Sequence, residues 1–409
     1  MAQDTFKIYG YRWIILLAFM AVVAVNQLMW ITFAPITSSA ASYYEVSDLS
    51  IGLLSMSFMI VYIFVSIPAS WLIDTVGFRV AVGIGAALTG IFGLTRGLLA
   101  ANYSLVLISQ IGIAIGQPFI LNAVTKVAAR WFPLQERATA TGLGSLAMYL
   151  GIVLGLALTP YLVIRSSIDN VLLIYGIVSV IAAIFFLVLA KEHPPTPACP
   201  PGQELRSLVF TGLKDTLRKV DFILLMVIFF IGLGVFNGVT TWIEDILRPR
   251  GFSITQAGIA GGLMVFGGVV GAVILPSLSD RYRKRVPFIL IALAGSILGL
   301  LGITFANSYT LLLAAAFVMG FFLLSAGPIG FQYGAEIAYP TPEGSSNGLL
   351  ILMGQISGIL FIFGMDSFKT PGTGSMTASL LVLVGLMVLG LLISTRLKES
   401  SLLTGKLPE

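Results

Sequence analysis

Apolar runs of about 20 residues recur from one end of this chain to the other, and each is long enough to cross a bilayer as a helix. Read against turn and charge punctuation, they predict helices over 13–36, 50–73, 79–101, 104–128, 139–163 and 170–190. A second set of six is predicted over 221–246, 255–277, 287–305, 309–335, 344–366 and 377–395. A soluble core has no room for twelve such segments, whereas lipid tolerates them because a helix satisfies its own backbone polar groups. The fold class is therefore all-α and integral to the membrane. Composition agrees, with 57% hydrophobic and only 10% charged residues, where a soluble domain carries about 25% charged. The 44 glycines suit close helix contacts in lipid, and Gly151 with Gly155, Gly267 with Gly271 and Gly354 with Gly358 have that spacing.

The formal net charge of +5 would suit a nucleic-acid partner were the basic residues clustered on a soluble face. They are instead sorted by loop. With the N-terminus in the cytoplasm, all but Arg96, Arg165, Arg248, Arg250 and Lys369 of the 23 basic residues fall at cytoplasmic ends, as the positive-inside rule requires of an even number of spans. Both termini are then cytoplasmic, and the pattern fits a plasma or inner membrane without any nucleic acid. The one long polar stretch, KEHPPTPACPPGQELRSLVFTGLKDTLRK, divides the chain into a bundle at 1–190, a linker at 191–220 and a bundle at 221–409 with a short tail. The first run passes Trp30 without a small-residue cleavage site and reads as a retained span. Cys199 and His193, each the sole residue of its type, both lie in the linker. No disulfide, metal cluster, cofactor motif or nucleophile with a base is therefore expected, and enzymatic chemistry is excluded.

The two halves repeat each other. SWLIDTVGFR follows the second span and PSLSDRYRKR the eighth; WFPLQERATATG follows the fourth and AYPTPEGSSNG the tenth. Asp74 and Asp280 are 206 residues apart, and Glu136 and Glu343 are 207 apart. Such agreement indicates a duplicated six-helix unit. The loops resemble the signature of the major facilitator superfamily, in which a small residue, Asp, Gly and Arg recur at fixed spacing: Ser70, Asp74, Gly77 and Arg79 here. The resemblance implies twelve helices in two pseudo-symmetric bundles that work by alternating access. Asp74, Gly77, Arg79, Glu136, Arg137, Asp280, Arg281 and Glu343 are read as a cytoplasmic latch, with the aspartates accepting from helix N-termini and pairing with arginine. Arg283, Lys284 and Arg285 are read as marking the membrane boundary.

Polar side chains inside spans are costly and face a cavity or another helix. Counting along the helices puts Asn26, Gln27, Trp30, Gln117, Asn237 and Gln355 near mid-depth. Asn26 and Trp30 share a face. For Asn26, Gln110 and Asn122 a role as interhelical glue stands beside a role in binding. None of the mid-depth groups titrates, so the expectation is a facilitative carrier; Glu336 and Asp245 are the acids that could host a proton instead.

The stretches NQLMWITFAPI, GIAIGQPFILNAVTKVAARWFP and GPIGFQYGAEIAYPTPEGSSNGLLILMGQISGIL resemble the feline leukaemia virus subgroup C receptor-related family of choline and haem carriers, across nearly all twelve spans. The resemblance implies that Trp30, Gln117 and Gln355 surround a quaternary ammonium. The family's fourth group, a tyrosine of the seventh span, falls on Asn237, beside Phe236. An amide there removes one aromatic face from the cation and suits a solute that hydrogen-bonds. The expected protein is a monomeric uniporter of a small amine such as choline. The alternatives are a proton-linked carboxylate carrier using Glu336 with Arg96 as anion partner, and a non-transporting sensor of the same fold.

Overall fold

The computed structural model describes residues 8–133, 136–196, 216–338 and 343–399, apart from the side chains of residues 138 and 343–345. Among these residues, twelve helices are long and apolar enough to span a membrane. The chain divides into two compact units, Met1–Ser207 and Leu208–Glu409.

In the first unit, α1 covers Arg12–Ile31, α2 Thr37–Tyr44, α3 Asp48–Thr75, α4 Phe78–Leu98, α5 Tyr103–Leu121, α6 Val124–Trp131, α7 Arg137–Arg165 and α8 Ile168–Leu189. The first span is longer than its apolar run suggests. Pro35 lacks an N–H, so α1 stops, a 3-10 turn at Ala34–Ile36 intervenes, and the span resumes as the small, polar α2. The fourth span is likewise two pieces, α5 and α6, joined at Asn122. In the second unit, α9 covers Val220–Thr241, α10 Ile243–Leu247, α11 Ile254–Tyr282, α12 Val286–Phe305, α13 Tyr309–Ala338, α14 Glu343–Ser367 and α15 Thr377–Ser394.

Packing repeats with the sequence. Helix α1 lies on α7, α3 on α5 and α4 on α8; in the second unit α9 lies on α14, α11 on α13 and α12 on α15. Small residues permit the closest of these approaches. A Cβ on Gly320 of α13 would overlap the Met264 carbonyl of α11, and one on Gly271 would overlap the Phe321 carbonyl. Away from the contacts, large apolar side chains such as Phe64, Trp71, Val188 and Leu298 stand exposed, as a lipid-facing surface requires.

The helices are started in two ways. Ser47, Asn102, Ser167 and Ser253 each accept from a backbone N–H of the first turn of α3, α5, α8 and α11, and Gln256 completes a capping box with Ser253. Helices α4 and α12 start without a side-chain cap of their own. Glu192 accepts from the Phe78 and Arg79 amides at 3.2 and 2.7 Å. Glu399 accepts from the Arg285 and Val286 amides at 3.0 Å or just above. These two glutamates are themselves 207 residues apart. Each follows a lysine whose carbonyl is also held: Lys191 by the Trp131 indole at 2.9 Å and Lys398 by the Tyr333 hydroxyl at 2.7 Å.

Candidate substrate-binding site

Each unit presents its own set of polar groups inside its helices, and hydrogen bonding sorts them. In the first unit Asn26, wholly buried, donates to Thr89 Oγ1 at 3.1 Å and to the Ile113 carbonyl at 3.5 Å. Gln27 donates to the Asn26 carbonyl oxygen at 3.3 Å. Asn26 therefore ties α1 to α4 and α5, and its amide is spent. Gln110 and Asn122 are spent too. Gln110 donates to the Met29 carbonyl at 3.2 Å and accepts from Arg96. Asn122, at the break in the fourth span, accepts from the Tyr62 hydroxyl at 2.7 Å and donates to Ser66 and Ser70. The reading of these three as interhelical glue is the one their geometry supports.

Gln117 differs. Only 6% of it is exposed, yet its amide makes no hydrogen bond to any described residue. Trp30 is held rigidly beside α3, its indole N–H donating to the Ser55 carbonyl at 3.2 Å, so its ring has one orientation.

In the second unit, Gln355 of α14 is half-buried and its amide is also unspent. Asn237 of α9, 9% exposed, donates from Nδ2 to the Gly354 carbonyl at 3.2 Å, which leaves its carbonyl oxygen as the available group. Phe236 is buried at 8% exposure. Trp242 is completely buried and donates to the Ile362 carbonyl at 3.1 Å.

The two acids that the sequence offers as proton hosts sit in ion pairs at span ends. Asp245 pairs with Arg248 at 2.7 Å and Lys369 at 3.2 Å. Glu336 accepts from Arg285 at 3.0 Å and from Gln332 at 3.1 Å.

At the end of the first unit where α3 meets α4, the latch reading needs correction. The carboxylate at the α4 N-terminus is Glu192, not Asp74, which pairs with Lys126 at 3.3 Å. Gly77 is required on two counts: its φ is +117°, and a Cβ there would overlap the Glu192 carboxylate. Arg79 contributes its backbone N–H, and its guanidinium has no partner among the described residues. Glu136 pairs with Arg12 at 3.0 Å, and Arg137 donates to the carbonyls of Ala129 and Phe132.

In the second unit the exposed Arg281 takes no part. Arg285, read from sequence as a boundary marker, is the hub: 8% exposed, it donates to Asp280, Glu336 and Ser279. Burial works against its charge, but the hydrogen bonds and charges of Asp280 and Glu336 more than offset this and raise its pKa above the usual arginine value. Glu343 begins α14, with its side chain outside the described residues; Cys199 is outside them as well.

Residues 19–362 match the Major Facilitator Superfamily. The chain belongs to that superfamily. It is 32% identical over 384 residues to solute carrier family 49 member A3 of Xenopus tropicalis, covering 90% of this chain and 80% of that one. It is 29% identical over 432 residues to the choline/ethanolamine transporter FLVCR1 of Mus musculus, covering 96% and 77%. Among solved structures, a bacterial homologue of the human lysosomal transporter Spinster superposes with a TM-score of 0.77 at 18% identity, over 96% of this chain and 98% of that one. A point mutant of the nucleoside transporter NupG superposes at 0.73 and 16%, over 94% and 99%. The superfamily member described here is thus a multi-pass membrane transporter and not an enzyme.

Proposed function

We propose that this protein is a facilitative carrier of a small organic amine of the choline and ethanolamine class, with Trp30 and Gln117 facing the solute in the first unit and Phe236, Asn237 and Gln355 in the second. The observation that carries the reading is the pair of glutamines: Gln117 and Gln355 keep their amides unspent inside membrane helices where Asn26, Gln110 and Asn122 spend theirs. An amide without a partner in such surroundings is costly unless a ligand or water satisfies it. Similarity to a choline/ethanolamine transporter over most of the chain supplies the solute class.

Asn237 refines the class. A tyrosine face attracts any cation, quaternary or not. An amide oxygen rewards one that can donate a hydrogen bond, which a primary ammonium does and a trimethylammonium cannot. The carrier therefore favours ethanolamine-like over choline-like solutes.

Among the described residues, no acid or histidine is placed near mid-depth by counting along the spans, which favours uncoupled transport. Glu336, the acid a proton-linked mechanism would need, is held by Arg285 at 3.0 Å. The working form is a monomer in a plasma or inner membrane with both termini cytoplasmic. Purified protein in proteoliposomes should take up labelled ethanolamine down its gradient, at the same rate with and without a pH difference. Absence of uptake of either amine overturns the solute class. Uptake that collapses when the pH difference is removed overturns the uncoupled mechanism.

A further inference from the structure

We infer that the groove between α4 and α8 of the first unit is a site for an anionic phospholipid, with the headgroup phosphate on Arg79 and an acyl chain laid along the apolar lining. This goes beyond the amine reading and does not rest on it.

Helices α4 and α8 are packed membrane spans, and between them runs a groove of about 350 Å³. Gly83, Ala87 and Phe186 line it together with Val80, Ile84 and Leu187, and the last three are exposed. Its depth at Gly83 depends on the missing side chain, since a Cβ there would stand 3.2 Å from Leu187 Cδ2. From Val80 to Ala87 the helix rises about 10 Å, so the groove leads from the end of the span into the hydrocarbon layer. Exposed apolar walls at that depth are covered by acyl chain.

Arg79 lines the same groove at its membrane-surface end, in the first turn of α4. It is exposed, and its guanidinium has no partner among the described residues. The acids of this corner are engaged elsewhere. Asp74 pairs with Lys126 at 3.3 Å, and Glu192 turns its two oxygens to the Phe78 and Arg79 amides. The second unit treats the arginine beside its own glutamate clasp differently: Arg285 is buried and held by Asp280 and Glu336. An arginine left uncompensated at the edge of the bilayer matches a phosphodiester, which its planar fork can grip with two parallel hydrogen bonds. An anionic head fits better than a zwitterionic one, because Asp74 and Glu192 are already spent and leave nothing to receive an ammonium.

The test is native mass spectrometry of the full-length protein, stripped of lipid in mild detergent and offered equal amounts of phosphatidylglycerol and phosphatidylcholine. Phosphatidylglycerol should bind in preference, as a single adduct. Arg79→Gln should weaken that adduct about fivefold, the scale of one basic group facing an anionic lipid, and bring the two lipids level. Ala87→Phe fills the groove, keeps the charge and should also weaken the adduct. Arg281→Gln removes an equally exposed and unpartnered arginine of the second unit and should leave it unchanged. Binding without preference for phosphatidylglycerol overturns the proposal. So does an adduct unmoved by Arg79→Gln or by Ala87→Phe, or one that Arg281→Gln weakens as much as Arg79→Gln does.

Discussion

Aromatic and amide groups recognise an ammonium by different physics, and under the proposed amine reading Asn237 sets an amide where an aromatic face would otherwise stand. Replacing the amide by an aromatic face in Asn237→Tyr should shift preference towards choline by about tenfold relative to ethanolamine, because the ring attracts both cations alike while the amide acceptor, worth about 1.5 kcal/mol to an ammonium that can donate to it, is lost. Competition of each amine against labelled ethanolamine uptake measures it; an unchanged ratio removes Asn237 from the solute's surroundings. Trp30→Ala should lower uptake of both amines without changing their ratio, because the indole face makes no distinction between them. Depth counting alone brought Trp30, Gln117, Asn237 and Gln355 into view, since a polar group at mid-span is conspicuous in sequence. It could not separate them from Asn26. That distinction depends on whether a neighbour such as Thr89 lies at 3.1 Å, which is a property of packing and not of periodicity.

Between elements, the repeated aspartates drew attention from the residues that cap the helices. A carboxylate was expected at the α4 N-terminus, but it comes from Glu192, 113 residues beyond Arg79, where no local pattern points to it. Its one signal in the sequence was the Lys-Glu pair at 191–192 recurring at 398–399 with the same 207-residue offset as Glu136 and Glu343. Replacing Glu192 or Glu399 by Gln keeps an acceptor and removes the charge that faces the helix N-terminus. Each should cost about 0.5 to 1 kcal/mol, read as a small fall in Tm. Gly77→Ala should cost more than Glu192→Gln, because it combines a left-handed backbone with overlap against the carboxylate; an equal or smaller fall would mean that this corner is freer to adjust than its geometry suggests. Glu336→Gln separates structure from coupling. It should lower Tm, because Arg285 loses one of its two carboxylates, while amine uptake keeps its indifference to pH.

For the whole molecule, hydrophobicity made the twelve spans legible, with starts within two residues and ends off by up to eight, the largest discrepancy falling where polarity conceals helix. The α2 segment, TSSAASYY, continues the first span without large aliphatic side chains, so a hydropathy reading ends early. The orientation expected from sequence rests on the count of basic residues at each end of the spans. Four of the five basic residues expected outside the cytoplasm are tied to specific partners: Arg96 to Gln110, Arg248 and Lys369 to Asp245, and Arg250 to the carbonyls of Ile303 and Thr304 at the end of α12. The fifth, Arg165, lies 4.3 Å from the Tyr161 ring centre. At the opposite ends of the spans, Arg79, Arg281, Arg283 and Lys284 have no partner among the described residues, and they are exposed. With Cys199 replaced by Ser, a cysteine at Thr373, in the loop between α14 and α15, should react with a membrane-impermeant maleimide on intact cells. A cysteine at Arg283 should react only after permeabilisation. The reverse pattern would invert the topology, and with it the assignment of both termini to the cytoplasm.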